Sequence, residues 1–100
     1  MAVGSGLYNC AVAISDGEIL GIVPKTYVPD NQEYYEKRWF RSAGQLRVSE
    51  TSFFGEPAPI GTGLLFSHES WEEVVVGIEI CEDLWAPVPP SSYQAVAGAT

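Results

Sequence analysis

The chain has 100 residues, of which 46% are hydrophobic, 12% aromatic and 18% charged. This composition is typical of a small globular domain and excludes an intrinsically disordered segment. Thirteen acidic residues against five Lys and Arg give a formal net charge of −8, which repels nucleic acid and anionic membranes. The sequence has no apolar run of about 20 residues and no signal-peptide pattern, so a soluble, cytoplasmic protein is expected.

The two cysteines and the single histidine do not form a disulfide or metal pattern. Cys10 and Cys81 are too few and too far apart for a disulfide framework, and Cys10 lies within an alternating strand pattern, where a structural role is expected. His68 lies in the polar segment Ser-His-Glu-Ser and is expected on the surface, because no second histidine or Cys-x-x-Cys spacing accompanies it. The sequence therefore predicts no metal site.

Two aliphatic runs near the start predict a β-hairpin. Residues 7–14 and 18–25 are rich in branched side chains, and the Asp-Gly step between them favours a tight turn. Prolines bracket Lys25, and a proline has no N–H to donate to a sheet ladder. We therefore expect the second strand to end at Lys25.

The middle of the chain predicts one helix, one strand and a loop. Asp30 and Glu33 have the spacing of a capping box, and the residues after them favour a helix over 32–40. A strand is predicted around residues 50–54. The segment 55–63 contains two prolines and three glycines and is predicted to be a loop.

A dense aliphatic run precedes the second cysteine. Residues 72–80 predict a central strand buried on both faces, with a short Gly-Leu-Leu-Phe strand before it. Cys81 follows directly, and a last helix over residues 93–99 is expected to be capped by Ser91 or Ser92. Because no strand follows this helix, we expect the sequence to be part of something longer.

The end of this strand has the chemistry of a nucleophilic site. A cysteine placed where a buried strand turns into a helix presents its thiol beside free backbone N–H groups. A thiolate needs a neighbouring cation, and Lys25, also at a strand end, is the best candidate. Both residues also fit ordinary roles, since cysteine packs as a small hydrophobe and lysine is commonly solvated. Glu82 and Asp83 read as ordinary turn acids.

Three motifs in this order resemble the glutamine-hydrolysing, nitrilase-like domain of bacterial glutamine-dependent NAD synthetases. They are Pro-Lys-Thr-Tyr, Tyr-Glu-Lys-Arg-Trp-Phe and Cys-Glu-Asp-Leu-Trp-x-Pro-x-Pro-Pro-Ser, and the resemblance runs from about Leu7 to the last residue. It implies an α/β fold, with residues 1–100 forming part of a nitrilase-superfamily α-β-β-α sandwich. The segment with the general base, the downstream part of the domain and the synthetase domain would be absent.

The resemblance also implies roles for individual residues. Cys81 would be the nucleophile and Lys25 would stabilise the thiolate and the oxyanion, while the glutamate base of the Glu-Lys-Cys triad falls before the matching part. Glu36 aligns with an acid that supports the site. The positions that line the glutamine pocket are those of Glu82, Trp85 and Asn31. The family commonly has tyrosine where Asn31 stands, which puts one wall of that pocket in doubt.

The implied reaction is glutamine hydrolysis that supplies ammonia for ATP-dependent NAD synthesis from nicotinic acid adenine dinucleotide. ATP, Mg and this dinucleotide would bind the synthetase domain, so no cofactor is expected in these 100 residues, which alone should be inactive. The expected partners are glutamine, the synthetase domain of the same chain and further copies in a homo-oligomer. Two alternatives stay open: a piece of another nitrilase-superfamily amidase or carbamoylase, and a degenerate, non-catalytic domain kept for assembly.

Overall fold

A computed structural model describes residues 1–31 and 34–100 of the chain, in which short antiparallel hairpins alternate with short helices. The strands are β1 (Ala2–Val3), β2 (Gly6–Leu7), β3 (Cys10–Ser15), β4 (Glu18–Pro24), β5 (Glu50–Phe53), β6 (Glu56–Pro59), β7 (Leu65–Ser67) and β8 (Val75–Gly77). Within these residues, each odd-numbered strand pairs antiparallel with the next. The helices are three 3-10 turns, Glu36–Arg38, Ala43–Gln45 and Cys81–Trp85, and one α-helix, α1 (Pro90–Val96).

The predicted first hairpin is confirmed as β3 and β4. Asp16 and Gly17 connect the strands with φ of 49° and 80°, and positive φ at both central residues is what a tight turn matching the strand twist requires. β4 ends at Pro24, so Lys25 lies directly after the strand, as predicted.

β4 is the central strand of the described structure. β3 pairs along one edge, and on the other edge Ile22 forms a parallel bridge to Ile60 while its carbonyl accepts the N–H of Gly61 at 3.0 Å. Successive side chains of a strand point to opposite faces. Ile22 and Val23 are only 0% and 2% exposed, so the second half of β4, from Gly21 to Pro24, is buried on both faces.

The prediction of a buried central strand over residues 72–80 is wrong. Only Val75–Gly77 forms a strand, and β7 is its strand partner in the described part of the chain. Thr100 binds the backbone of Val75 at the other edge, in place of a second strand. With one neighbouring strand, β8 leaves Val76 49% exposed, and residues 78–80 separate it from Cys81.

The predicted strand around residues 50–54 is confirmed as β5, but the predicted loop at 55–63 contains β6. The N–H of Ile60 donates to the carbonyl of Ser49, so even-numbered residues of β6 direct their N–H groups toward β5. Pro57 and Pro59 occupy the odd positions, where their missing N–H groups leave the ladder with β5 intact.

The predicted helix over residues 32–40 is wrong in its described part. The capping-box residue Glu33 lies outside the described residues, and residues 34–40 contain only the 3-10 turn Glu36–Arg38. Tyr35 and Trp39 are 56% and 67% exposed. A helix this short is marginal unless one face is buried, and these aromatic side chains supply no buried face.

α1 confirms the last predicted helix but not its predicted cap. The helix begins at Pro90, whose fixed φ suits the first helical position, and Pro89 precedes it without a side-chain cap. The N–H of Ser91 donates instead to the Glu79 carboxylate at 3.0 Å. None of the helices in the described residues has the length and hydropathy needed to cross a bilayer.

The buried core lies where β4 meets β6. Ile22, Ala58 and Ile60 are 0%, 1% and 3% exposed and pack together, and partly buried side chains from β1, β3 and β5 surround them. The same strand that carries this core continues directly into Lys25. The position of the lysine is therefore fixed by the best packed part of the chain.

Candidate functional site

Lys25 is buried at the end of β4 and paired with an acid. Its side chain is 1% exposed, and its Nζ donates to the two carboxylate oxygens of Glu36 at 3.0 and 2.9 Å. Its backbone N–H donates to Asn9 and its carbonyl accepts the N–H of Ala43. A buried ammonium needs such a partner, because an unpaired charge in the interior is strongly unfavourable.

Cys81 begins the 3-10 turn Cys81–Trp85 in an uncommon backbone conformation. Its φ is +53°, in the left-handed region that residues with a Cβ rarely adopt, and the residue is exposed. Such conformations persist only where the surrounding structure holds them, and they are frequent at functional sites. The thiol is thus presented at the surface by a turn that packing alone would not favour.

Asp83 joins the lysine segment to the cysteine turn. The residue is 1% exposed, and its carboxylate accepts the N–H of Thr26 at 3.1 and 3.2 Å, of Tyr27 at 2.6 Å and of Ile80 at 3.2 Å. Sequence reasoning took Asp83 for an ordinary turn acid and missed this role. The signal that could have found it is the Cys-x-Asp spacing, which places the carboxylate two residues after the thiol in the same turn.

Two of the candidate site residues share a cleft, and the others lie apart from it. Asn31 and Glu82 line an open cleft of about 750 Å³ that also carries Lys37 and Arg41. Lys25 and Cys81 are not among its lining residues, and Trp85 is 76% exposed. The described hydrogen bonds of the Lys25 Nζ go to Glu36 and not to Cys81. The segment after Lys25 is bonded to the cysteine turn through the Asp83 carboxylate, and to the residues after that turn through the Tyr27 hydroxyl, which donates to the carbonyl of Val88 at 2.9 Å.

The second cysteine differs from Cys81 in its surroundings. Cys10 lies half-buried in β3, and burial raises the pKa of its thiol, with the N-terminal ammonium acting in the opposite direction. A thiol kept neutral in this way is a poor nucleophile. Among residues 1–31 and 34–100, no group of three or more His, Cys, Asp or Glu side chains is arranged to hold a metal ion.

The chain is similar in sequence to proteins named glutamine-dependent NAD(+) synthetase. It is 41% identical over 98 residues to that of Mycobacterium tuberculosis strain H37Rv and 42% identical over 94 residues to that of Mycobacterium leprae. Both matches cover 94% of this chain and 14% of the relative. The Homo sapiens enzyme is 34% identical over 92 residues, which cover 83% of this chain and 12% of that enzyme.

The structural comparison agrees with the sequence comparison. The chain superimposes on the crystal structure of a glutamine-dependent NAD(+) synthetase from Cytophaga hutchinsonii with a TM-score of 0.68 and 24% identity. The match covers 82% of this chain and 13% of that one, and it supports a shared fold. No protein-family model matches the chain. The resemblance predicted from the three motifs is therefore confirmed, for a chain that spans about 14% of the length of these mycobacterial relatives.

Proposed function

We propose, because the chain is homologous to one segment of glutamine-dependent NAD(+) synthetases, that it forms part of the glutaminase domain of such an enzyme. In this proposal, residues 1–100 are one portion of a nitrilase-like α-β-β-α sandwich. The single parallel bridge between Ile22 of β4 and Ile60, the residue after β6, supports it, since it brings two antiparallel hairpins edge to edge. A layered α/β fold needs its strands joined in this way.

The observation that carries the proposal is the junction of Cys81, Asp83 and the Lys25 segment. An exposed thiol at the start of a tight turn is accessible to a substrate, and the turn is bonded to the backbone that immediately follows the lysine. The Cys81 thiolate would attack the side-chain amide carbon of glutamine and form a tetrahedral intermediate. Collapse of this intermediate would release ammonia and leave a thioester, with the proton taken from the thiol delivered to the amide nitrogen by the general base outside these residues. Water would then hydrolyse the thioester to glutamate and free thiol.

The lysine would stabilise the negatively charged states of this reaction. Its ammonium would stabilise the thiolate and the oxyanion, together with the backbone N–H of Glu82, and each such donor is typically worth about 3 to 4 kcal/mol in the transition state. Glu36 would keep the ammonium oriented through its two hydrogen bonds. The resemblance assigns the general base to none of these 100 residues, so we expect no turnover from them alone.

The cleft would receive the amino-acid end of glutamine. Its lining combines the cations Lys37 and Arg41 with the acids Asp30 and Glu82 and the amide Asn31, and this mixture of charges complements a substrate that carries one carboxylate and one ammonium. Its volume of about 750 Å³ is within the ordinary range for small-molecule sites. Trp85, at the end of the turn that carries Glu82, would contact the substrate from outside this lining.

The rest of the proposed enzyme would use the ammonia. A synthetase domain of the same chain would bind ATP, Mg and nicotinic acid adenine dinucleotide and amidate the dinucleotide to NAD. Association of several copies is also part of the proposal, because a chain with short, exposed strand edges gains stability by covering them.

The test is covalent labelling with a glutamine-analogue diazoketone, followed by intact-mass and peptide mass spectrometry. Attack by the Cys81 thiolate forms a carbon–sulfur bond, the diazo carbon takes up a proton, and dinitrogen leaves. We expect a single adduct on Cys81, formed more slowly in Lys25→Met, with Cys10 unlabelled as an internal control. A neutral alkylating agent of similar size but without the amino-acid end measures the reactivity that does not depend on the cleft.

Each outcome separates the proposal from its alternatives. Equal labelling by the diazoketone and the neutral reagent would contradict a glutamine site and favour an amidase of other specificity. A Cys81 that reacts no faster than a free thiol with either reagent would support a non-catalytic domain.

A further inference from the structure

The Asp83 carboxylate binds two backbone segments that are far apart in sequence. Its oxygens accept the N–H groups of Thr26 and Tyr27 after β4, and the N–H of Ile80 before the cysteine. The N–H of Asp83 in turn donates to the carbonyl of Ile80 at 3.1 Å. Both polar backbone groups of the residue before Cys81 are therefore bonded to Asp83.

We propose that Asp83 is a positioning residue, which sets the Cys81 thiol relative to the Lys25 ammonium by holding the two backbone segments together. This inference rests on the proposed function, because it assumes that the thiol and the ammonium act on one substrate. Asp83 itself would not touch the substrate, since its carboxylate is buried and occupied by backbone N–H groups.

The lysine segment is fixed independently of Asp83. The carbonyl of Lys25 accepts from Ala43, and the carbonyl of Thr26 accepts from the hydroxyl of Ser42. The cysteine turn has the left-handed φ of Cys81 and needs support from outside. Asp83 thus stabilises the cysteine turn by bonding it to the lysine segment, which is already fixed.

The site requires a carboxylate, and an isosteric amide cannot replace it. All of the described contacts of the Asp83 side chain come from N–H donors, and an ionised carboxylate accepts at both oxygens. In Asp83→Asn, one oxygen becomes an NH₂ donor that must face the N–H of Thr26 together with that of either Tyr27 or Ile80. The connection loses the Tyr27 bond or the Ile80 bond, and the Thr26 bond to the same oxygen, while size and shape are kept.

The experiment is a double-variant cycle on the whole chain. The rate of Cys81 alkylation by iodoacetamide, a small neutral reagent, is measured at fixed pH in wild type, Asp83→Asn, Lys25→Met and the double variant. Cys10 is half-buried and reports loss of the fold in the same sample. Glu72→Gln, which removes an exposed acid elsewhere, is the matched control for charge.

We expect the effect of Lys25→Met on the Cys81 alkylation rate to disappear in Asp83→Asn. Lys25→Met should slow Cys81 alkylation by about tenfold in wild type, the size expected when an opposite charge near an ionisable group is removed, but by less than about twofold in Asp83→Asn. Cys10 should stay slow in each variant. Amide exchange should increase at Ile80 or at Thr26 and Tyr27 in Asp83→Asn, while the Lys25 amide, bonded to Asn9, stays protected.

The contrary results are distinct. A full Lys25 effect that persists in Asp83→Asn would overturn the positioning role and leave the proposed function in place. No Lys25 effect in wild type would overturn both. Faster alkylation of both Cys10 and Cys81 in Asp83→Asn would show that Asp83 is needed only for folding. In that case Asp83→Glu, which keeps the charge on a longer stem, would fail to restore the effect of Lys25 on the Cys81 alkylation rate.

Discussion

The ion pair between Lys25 and Glu36 predicts that its two halves contribute unequally to stability. Lys25 is 1% exposed and Glu36 is 22% exposed. Removing the acid leaves a buried ammonium without its partner, whereas removing the lysine leaves a carboxylate that water can reach. We therefore expect Glu36→Gln to destabilise the chain more than Lys25→Met.

The magnitudes follow from the geometry. Breaking a buried ion pair by removing one partner costs about 3 to 5 kcal/mol. Because glutamine keeps one acceptor oxygen and the site is partly open, we expect about 2 to 3 kcal/mol for Glu36→Gln. Lys25→Met keeps the aliphatic stem and should cost about 1 kcal/mol or less, because the Glu36 carboxylate that remains is partly exposed and can be hydrated. The double variant should be more stable than Glu36→Gln alone.

The assay is equilibrium urea unfolding followed by far-ultraviolet circular dichroism. Tryptophan fluorescence is a poor choice, because Trp39, Trp71 and Trp85 are 67%, 59% and 76% exposed and change little in environment on unfolding. Glu72→Gln is the control and should stay within about 0.5 kcal/mol of wild type. A Glu36→Gln variant as stable as Lys25→Met, or additive effects in the double variant, would refute the reasoning.

Three further predictions concern the hairpins and the buried thiol. Burial raises the pKa of the Cys10 thiol above its ordinary 9.0. The stability that the neutral thiol provides is therefore present below pH 9.0 and is lost as pH rises through the folded value. In urea titrations between pH 8 and pH 10.5, Cys10→Ala should lose less free energy of unfolding than wild type. Phe54 has φ +50° at an exposed hairpin tip, so Phe54→Asn should unfold at higher urea than Phe54→Ala, by about 1 kcal/mol, and equal stabilities would contradict this. A Cβ at Gly77 would collide with the buried Gln94 side chain, so Gly77→Ala should cost about 1 to 3 kcal/mol in thermal unfolding, while Gly63→Ala, in open space, should be near neutral.

Features set by local chemistry were predictable from the sequence. The Asp16-Gly17 turn and the strand end at Lys25 depend on turn residues and prolines that lie within a few positions, and the structure confirms both. Burial on both faces depends instead on which strands lie beside a given one. The aliphatic run before Cys81 has the composition of a central strand, but β4 holds that place because Ile60 pairs with Ile22. No pattern within either segment contains that information.

The hydrogen bonds that hold the site together could not be predicted from the sequence for the same reason. Two of the three N–H groups that Asp83 accepts belong to residues 56 and 57 positions earlier in the chain, and an acid in a surface turn has the same sequence signature as one that is buried. The candidate nucleophile and lysine could be named, because each follows an aliphatic run and lies in one of the motifs that carry the resemblance. How they are held could only be seen once the fold brought the end of β4 and the cysteine turn together.

Features that are unfavourable for folding converge on this one junction. It contains a buried lysine, a non-glycine residue at φ +53° and, at Thr26, a buried hydroxyl oxygen without a hydrogen-bond partner in the described part of the chain. Among the described residues, the other non-glycine positions with positive φ are Asp16 and Phe54, and both lie in hairpin turns that require it. No hairpin turn explains the conformation of Cys81. Strain and buried charge are expected where a sequence is constrained by function, so their occurrence in this junction is consistent with the catalytic role proposed for Cys81.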